Sequence, residues 1–221
     1  MNEYELISKE EWDAHLQAQY PELVMENEEL ERIRKDKVRM YYAVAGVPER
    51  YWHLEWLSDA EQYVSEEGVR DFEVEWAKWY TVIKEASLSM AGGFYLYGSH
   101  NSGKTSLAVL AMLSACDFVA DLPDPFYLHV GTFVAKRRAH EEIAEQWMAR
   151  AASASVFVFD DVGSEAGTDY AREQVTAILE ARVGSLYPSI YTGNIEPESL
   201  EEVVGGRVAV RILRYNKAIR I

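Results

Sequence analysis

One cysteine, Cys116, stands in 221 residues, so no disulfide can close within the chain and no cysteine zinc cluster can be built. Its setting in LAVLAMLSACDF marks a small apolar side chain packed in a core. No stretch approaches the roughly 18 to 20 uninterrupted apolar residues that a membrane-spanning helix needs. The N-terminus MNEYELISKEEW is acidic where a secretory signal is basic and then apolar. The expectation is a soluble, cytoplasmic protein with no membrane role. Basic residues are scarce as well: 22 Lys and Arg face 37 Asp and Glu, a formal charge of -15. The deficit is concentrated, with 21 acidic and 10 basic side chains in residues 1–90 against 16 and 12 in residues 91–221. Such an N-terminal region is a poor surface for duplex DNA, whose non-specific binders neutralise phosphates with Lys and Arg. It suits a basic protein partner, or it serves only to keep helical faces solvated.

What is present is a hydrophobic fraction of 48%, enough to build the core of one α/β domain and a smaller appendage. Ser8 and Glu11 have the spacing of a capping box at the start of a short helix carrying Trp12 and Leu16. After Pro21, Leu23, Leu30, Ile33 and Val44 recur at loose helical spacing until Gly46 and Pro48 end the pattern. The segment VPERYWHLEWLSD is aromatic and irregular. Val69, Phe72, Trp76, Trp79 or Tyr80, and Ile83 then mark an amphipathic helix whose indoles suit core packing better than a ligand cage. The expected organisation is a helical module at 1–45, a linker with an amphipathic helix at 46–90, and a larger domain at 91–221.

From Gly92 onward strands alternate with helices, the pattern of a mainly parallel sheet with crossover helices on both faces. The strands expected are Phe94–Tyr97, Phe126–Val130, Val156–Asp160, Ser189–Thr192 and an edge piece at Ala218–Ile221. Helices are expected near 104–119, 132–151, 168–186 and 198–213.

The strongest chemical signal is GSHNSGKT, Gly98 to Thr105, a complete G-x-x-x-x-G-K-[ST] loop. An apolar strand, FYLY, precedes it and an apolar helix follows, so loop and helix N–H groups can converge on phosphate oxygens. Gly98 and Gly103 permit a tight loop. Ser102, Lys104 and Ser106 complete the candidate nucleotide-binding set. Lys104 places a mobile charge for the β- and γ-phosphates, and the Thr105 hydroxyl can coordinate Mg2+. His100 occupies a variable position and needs no catalytic role. The second signal is VFVFDDVG, Val156 to Gly163, a buried strand whose acids emerge at its carboxyl end, where parallel sheets place their chemistry. Asp160 is the expected holder of Mg2+ through its water shell, and Asp161 the residue that orients or deprotonates the attacking water.

Taken together, the P-loop, DDVG, YPSIYTGN (187–194) and GRVAVRIL (206–213) resemble the bacterial and phage helicase loaders of the DnaC/DnaI type, relatives of IstB-like transposition ATPases. AGVPERYWHLEW resembles the linker ahead of the ATPase core in that family. The resemblance implies a three-layer AAA+ core that binds ATP, a homo-oligomer, and delivery of a replicative DNA helicase onto single-stranded DNA, with residues 1–45 as the helicase adaptor. By position, Asn194 matches the sensor 1 residue and Arg211 the arginine finger that completes a neighbouring subunit's site. Arg207 matches a second basic position one turn earlier; a solvated helix face is the alternative for both arginines. Lys136, Arg137 and Arg138 are candidates for a DNA contact, or a solvated basic face.

Three departures accompany the resemblance. Asp161 stands where the family usually places Glu, so turnover is expected to be slow or the water held differently. The sequence stops soon after the arginine box, so a core without a C-terminal lid is expected, and the N-terminal region lacks the zinc-binding cysteines of some loaders. An IstB-like regulator on duplex DNA and a non-oligomeric P-loop NTPase are the competing readings.

Overall fold

The computed structural model describes residues 27–52, 54, 62–65, 68–71, 93–118, 124–164, 168–183 and 187–221. Two units divide the chain, Met1–Arg39 and Met40–Ile221. Helix α1, Asn27–Ala45, ends where Gly46 takes a positive φ of 78° and the Val47 N–H reaches back to the Tyr42 carbonyl at 2.9 Å. A single 3-10 turn, Glu49–Tyr51, follows Pro48. The short helix expected around Trp12 lies outside the described residues.

Strands β1, Gln62–Ser65, and β2, Gly68–Asp71, form an antiparallel pair. Val69, read from the sequence as the start of an amphipathic helix, is therefore in a strand; Phe72 to Ile83 lie outside the described residues. A lone four-residue strand carries too few alternating positions to be separated from a helix by pattern alone.

The larger sheet has five strands, all parallel, in the order β4-β5-β6-β3-β7. They are β3 (Gly93–Tyr97), β4 (Pro125–His129), β5 (Val156–Val162), β6 (Ser189–Gly193) and β7 (Asn216–Arg220). Helix α2, Lys104–Phe118, is apolar almost all round, and Leu107 to Leu113 are buried without interruption, as a helix enclosed on every side must be. It packs on β3, β5 and β6. Strand residues alternate between faces, so Tyr95, Phe157, Phe159 and Tyr191 point the other way. There they join a core with Phe133, Ala144, Ile178 and Val208 from α3 (Val130–Arg138), α4 (Glu142–Ser153), α5 (Asp169–Val183) and α7 (Gly206–Tyr215). Cys116 is buried.

Two expected helices are each divided. The stretch 132–151 breaks between α3 and α4, where His140 adopts φ 55° and the Ala139 and His140 N–H groups close the end of α3. Neither Gly nor Pro marks that break. The stretch 198–213 becomes a 3-10 turn at Pro197–Ser199, a short α6 at Leu200–Val204, and α7, hinged at Gly205 with φ 80°. The basic run Lys136, Arg137, Arg138 closes the last turn of α3, where cations complement the helix C-terminus. Each is engaged within the chain: Lys136 with Glu141, Arg137 with Glu145 and Gln174, and Arg138 over the Tyr170 ring.

Candidate functional site

A cleft of about 390 Å³ opens at the carboxyl ends of β3, β4, β5 and β6, where a parallel sheet leaves room for a ligand. Ser102, Gly103, Lys104, Thr105 and Ser106 line one side; Asp160, Asp161, Thr192, Asn194 and His129 line the other. Gly98 enters the loop with φ 137°, and a Cβ there would lie 2.3 Å from the Ile221 carbonyl oxygen, so only glycine fits. The loop curls around the Lys104 ammonium, which donates to the Gly98 carbonyl at 3.2 Å, to the Ser99 carbonyl, and to the Ser102 hydroxyl at 3.3 Å. Burial lowers the Lys104 pKa, while the carboxylates of Asp161 and Asp160 work against that shift.

Asp160 is 2% exposed and is held entirely by hydroxyls. Thr105 donates to its Oδ1 at 2.8 Å and Thr192 to the same oxygen at 2.6 Å, while the Tyr127 phenol donates to Oδ2 at 2.7 Å. The residue paired in the P-loop and the acid on β5 are thus brought together across 55 positions of sequence. Burial and the adjacent Asp160 carboxylate push the Tyr127 phenol well above its ordinary pKa, so it remains a donor.

Beyond Asp160 the β5 strand departs from its register with β6, between Phe159 and Val162. Asp161 sits in that irregularity with φ 67°. Its backbone N–H donates to the Thr192 hydroxyl at 2.8 Å, which turns its carboxylate into the cleft. There Asn194 Nδ2 is 3.4 Å from Oδ1, and His129 Nε2 is 3.9 Å from Oδ2. Asn194 also lies 3.4 Å from Nδ1 of His100. Gly193 lets β6 pass close by, since a Cβ there would meet the Val162 carbonyl oxygen at 2.7 Å.

Arg211 is not brought to this cleft. It is half-buried on α7, next to the exposed Arg207 and Val210, and none of the three lines the pocket. Arg207 approaches Glu180 at 3.9 Å.

Sequence reasoning missed five contributors. Tyr127 and Thr192 hold Asp160, and the 3-10 turn brings Arg50 and Tyr51 to the cleft wall. His129 was read only as part of a strand. Thr192, on β6 two positions before Asn194, lines the same cleft and was the one signal in reach.

The donors suit a magnesium nucleotide. A hydroxyl and a carboxylate 2.8 Å apart are hard oxygen ligands, and Mg2+ is commonly bound by one or two such groups plus substrate phosphates. Among the described residues no cluster of three or more His, Cys, Asp or Glu could form an all-protein metal cage. Nor is any helix among them long and apolar enough to cross a membrane.

No family model matches the chain. The replicative helicase loader DnaI of Bacillus subtilis is 26% identical over 146 residues, which is 58% of this chain and 45% of that protein. The matched part thus spans less than half the length of this curated relative. Among solved structures, the DnaC helicase loader superposes with a TM-score of 0.63 at 20% identity, covering 79% of this chain and 99% of that one. The replication initiator DnaA bound to AMPPCP and single-stranded DNA superposes with a TM-score of 0.52 at 21% identity, covering 65% and 45%. These likenesses show the fold: an α/β core with helices packed on a parallel sheet, shared with the DnaC and DnaA structures.

Proposed function

We propose that this chain is an ATPase of the DnaC/DnaI helicase-loader kind, which uses ATP and Mg2+ in delivering a replicative DNA helicase onto single-stranded DNA. The observation that carries the reading is the junction of Thr105 with Asp160, 2.8 Å apart, beside a lysine wrapped in the phosphate loop. In this reading Gly98, Ser102, Gly103, Lys104, Thr105 and Ser106 bind the phosphates. Thr105 and Asp160 hold Mg2+, which neutralises charge developing on the transferred phosphoryl group. Asp161 orients the attacking water, and Asn194 steadies that carboxylate and reaches toward the same water. The Lys104 ammonium exchanges its loop carbonyls for phosphate oxygens, a gain that needs no rearrangement of the core.

Arg211, which does not line its own cleft, serves the site of an adjacent subunit in a homo-oligomer. The helicase-holding role falls to residues 1–45, and the net acidity of residues 1–90 favours a protein partner there over duplex DNA. That acidity also favours the loader over an IstB-like regulator.

Calorimetric titration with magnesium-ATP tests the nucleotide site. Lys104→Ala is expected to abolish binding while circular dichroism stays unchanged, and a folded mutant of unaltered affinity would sink the assignment. Deletion of residues 1–44 tests the adaptor: helicase capture is expected to vanish with ATP affinity intact. A shortened chain that still retains the helicase fully would remove the adaptor role.

A further inference from the structure

The hydroxyls of Tyr127 and Thr192 have no place in the scheme above, yet they make two of the three hydrogen bonds to Asp160. They come from the two strands that flank β5, Tyr127 from β4 and Thr192 from β6. Asp160 is thereby fixed from both sides of the sheet as well as from the phosphate loop. An ionised carboxylate offers about four lone-pair positions. Two hydroxyls on Oδ1 and one on Oδ2 leave a single position free, on Oδ2. We infer that Tyr127 and Thr192 are positioning residues that aim this remaining lone pair at the hydrated metal of a bound nucleotide, an inference that rests on the magnesium-nucleotide reading of the cleft.

The two hydroxyls are not equivalent. Among the described residues the Tyr127 hydroxyl hydrogen-bonds to Asp160 alone, whereas the Thr192 oxygen also accepts the Asp161 N–H at 2.8 Å. Thr192 therefore couples the acid that holds the metal to the acid that faces the water. Loss of Tyr127's hydroxyl frees Oδ2 to turn and weakens metal recruitment only. Loss of Thr192's hydroxyl also releases the backbone bond that keeps Asp161 in its left-handed conformation, and this reaches the chemical step. Burial reinforces both effects, because a buried polar group without its partner is costly.

The test uses the full chain and titrates ATP at a series of magnesium concentrations, then without metal in EDTA. Tyr127→Phe is expected to raise the magnesium concentration at half-saturation about 10- to 100-fold, the usual penalty for losing a group behind a metal ligand. Affinity for metal-free ATP and kcat at saturating magnesium are expected to stay as in the unaltered chain. Thr192→Val is expected to weaken magnesium dependence and lower kcat together, and Thr192→Ser to restore both. Wild-type magnesium dependence in a folded Tyr127→Phe chain overturns the inference, as does a Thr192→Val chain with normal metal response and turnover. If Tyr127→Phe does not fold, the Thr192 pair alone decides. Absence of magnesium-ATP binding by the unaltered chain removes the nucleotide reading and this inference together, whereas a silent Tyr127→Phe removes the inference only.

Discussion

Asp160 on β5 and Arg182 on α5 are two buried charges, 2% and 0% exposed, at opposite ends of the parallel sheet. Their surroundings differ in kind. Asp160, at the carboxyl end, is held by three side-chain hydroxyls and borders an open cleft. Arg182, at the amino end, donates to the carbonyls of Ala151, Ala154 and Pro188 and to the Ser189 hydroxyl, with its guanidinium over the Phe157 ring. Two of those carbonyls belong to the C-terminal end of α4, where helix acceptors lack intrahelical partners. Burial pushes the Arg182 guanidinium down to about 10. Hydroxyls rotate and can give up a donor or accept a metal, whereas backbone carbonyls stay where the helix and strand put them. A buried charge on hydroxyls beside the cleft is therefore equipped for chemistry, and one on carbonyls away from that cleft is equipped for architecture.

Arg211 extends the contrast, because it is half-buried at the surface and no ion pair is formed by it among the described residues. If it completes a neighbour's site, Arg211→Ala should bind ATP nearly normally yet lose on the order of 10³-fold or more in hydrolysis. Mixing it with Lys104→Ala should restore some activity at shared interfaces, assayed with single-stranded DNA and helicase present. Full activity of Arg211→Ala alone, with no recovery in the mixture, would end the finger assignment. Smaller in free energy is the effect expected at the core pair, read by urea unfolding. Arg182→Met orphans several buried acceptors and should cost about 3 kcal/mol or more. Asp160→Asn keeps the shape, and the three hydroxyls can regroup around an amide, so a loss of about 1 kcal/mol is expected. Equal losses for the two would erase the distinction drawn between them.

Much of this was legible in the sequence because it is local. GSHNSGKT, the apolar run before Asp160 and the alternation of strands with helices each declare themselves within a dozen residues. The α3–α4 break was not legible, since a non-glycine His140 carries the positive φ that glycine usually advertises. The hydroxyls around Asp160 were hidden for a different reason. Tyr127 and Thr192 lie 33 and 32 residues away, and only the register of β4 and β6 against β5 brings them near. The role of Arg182 was hidden too, because nothing in ARV signals that carbonyls from another helix will converge on it.

The left-handed backbone at Asp161 bears on which residues position 161 can tolerate. At φ 67°, side chains that are short and able to bond their own backbone are favoured, which admits Asp and Asn far more readily than Glu. The short acid is then a matter of conformational fit rather than erosion of a longer one. A chain that drifted to glutamate here would first have to change the shape of its strand.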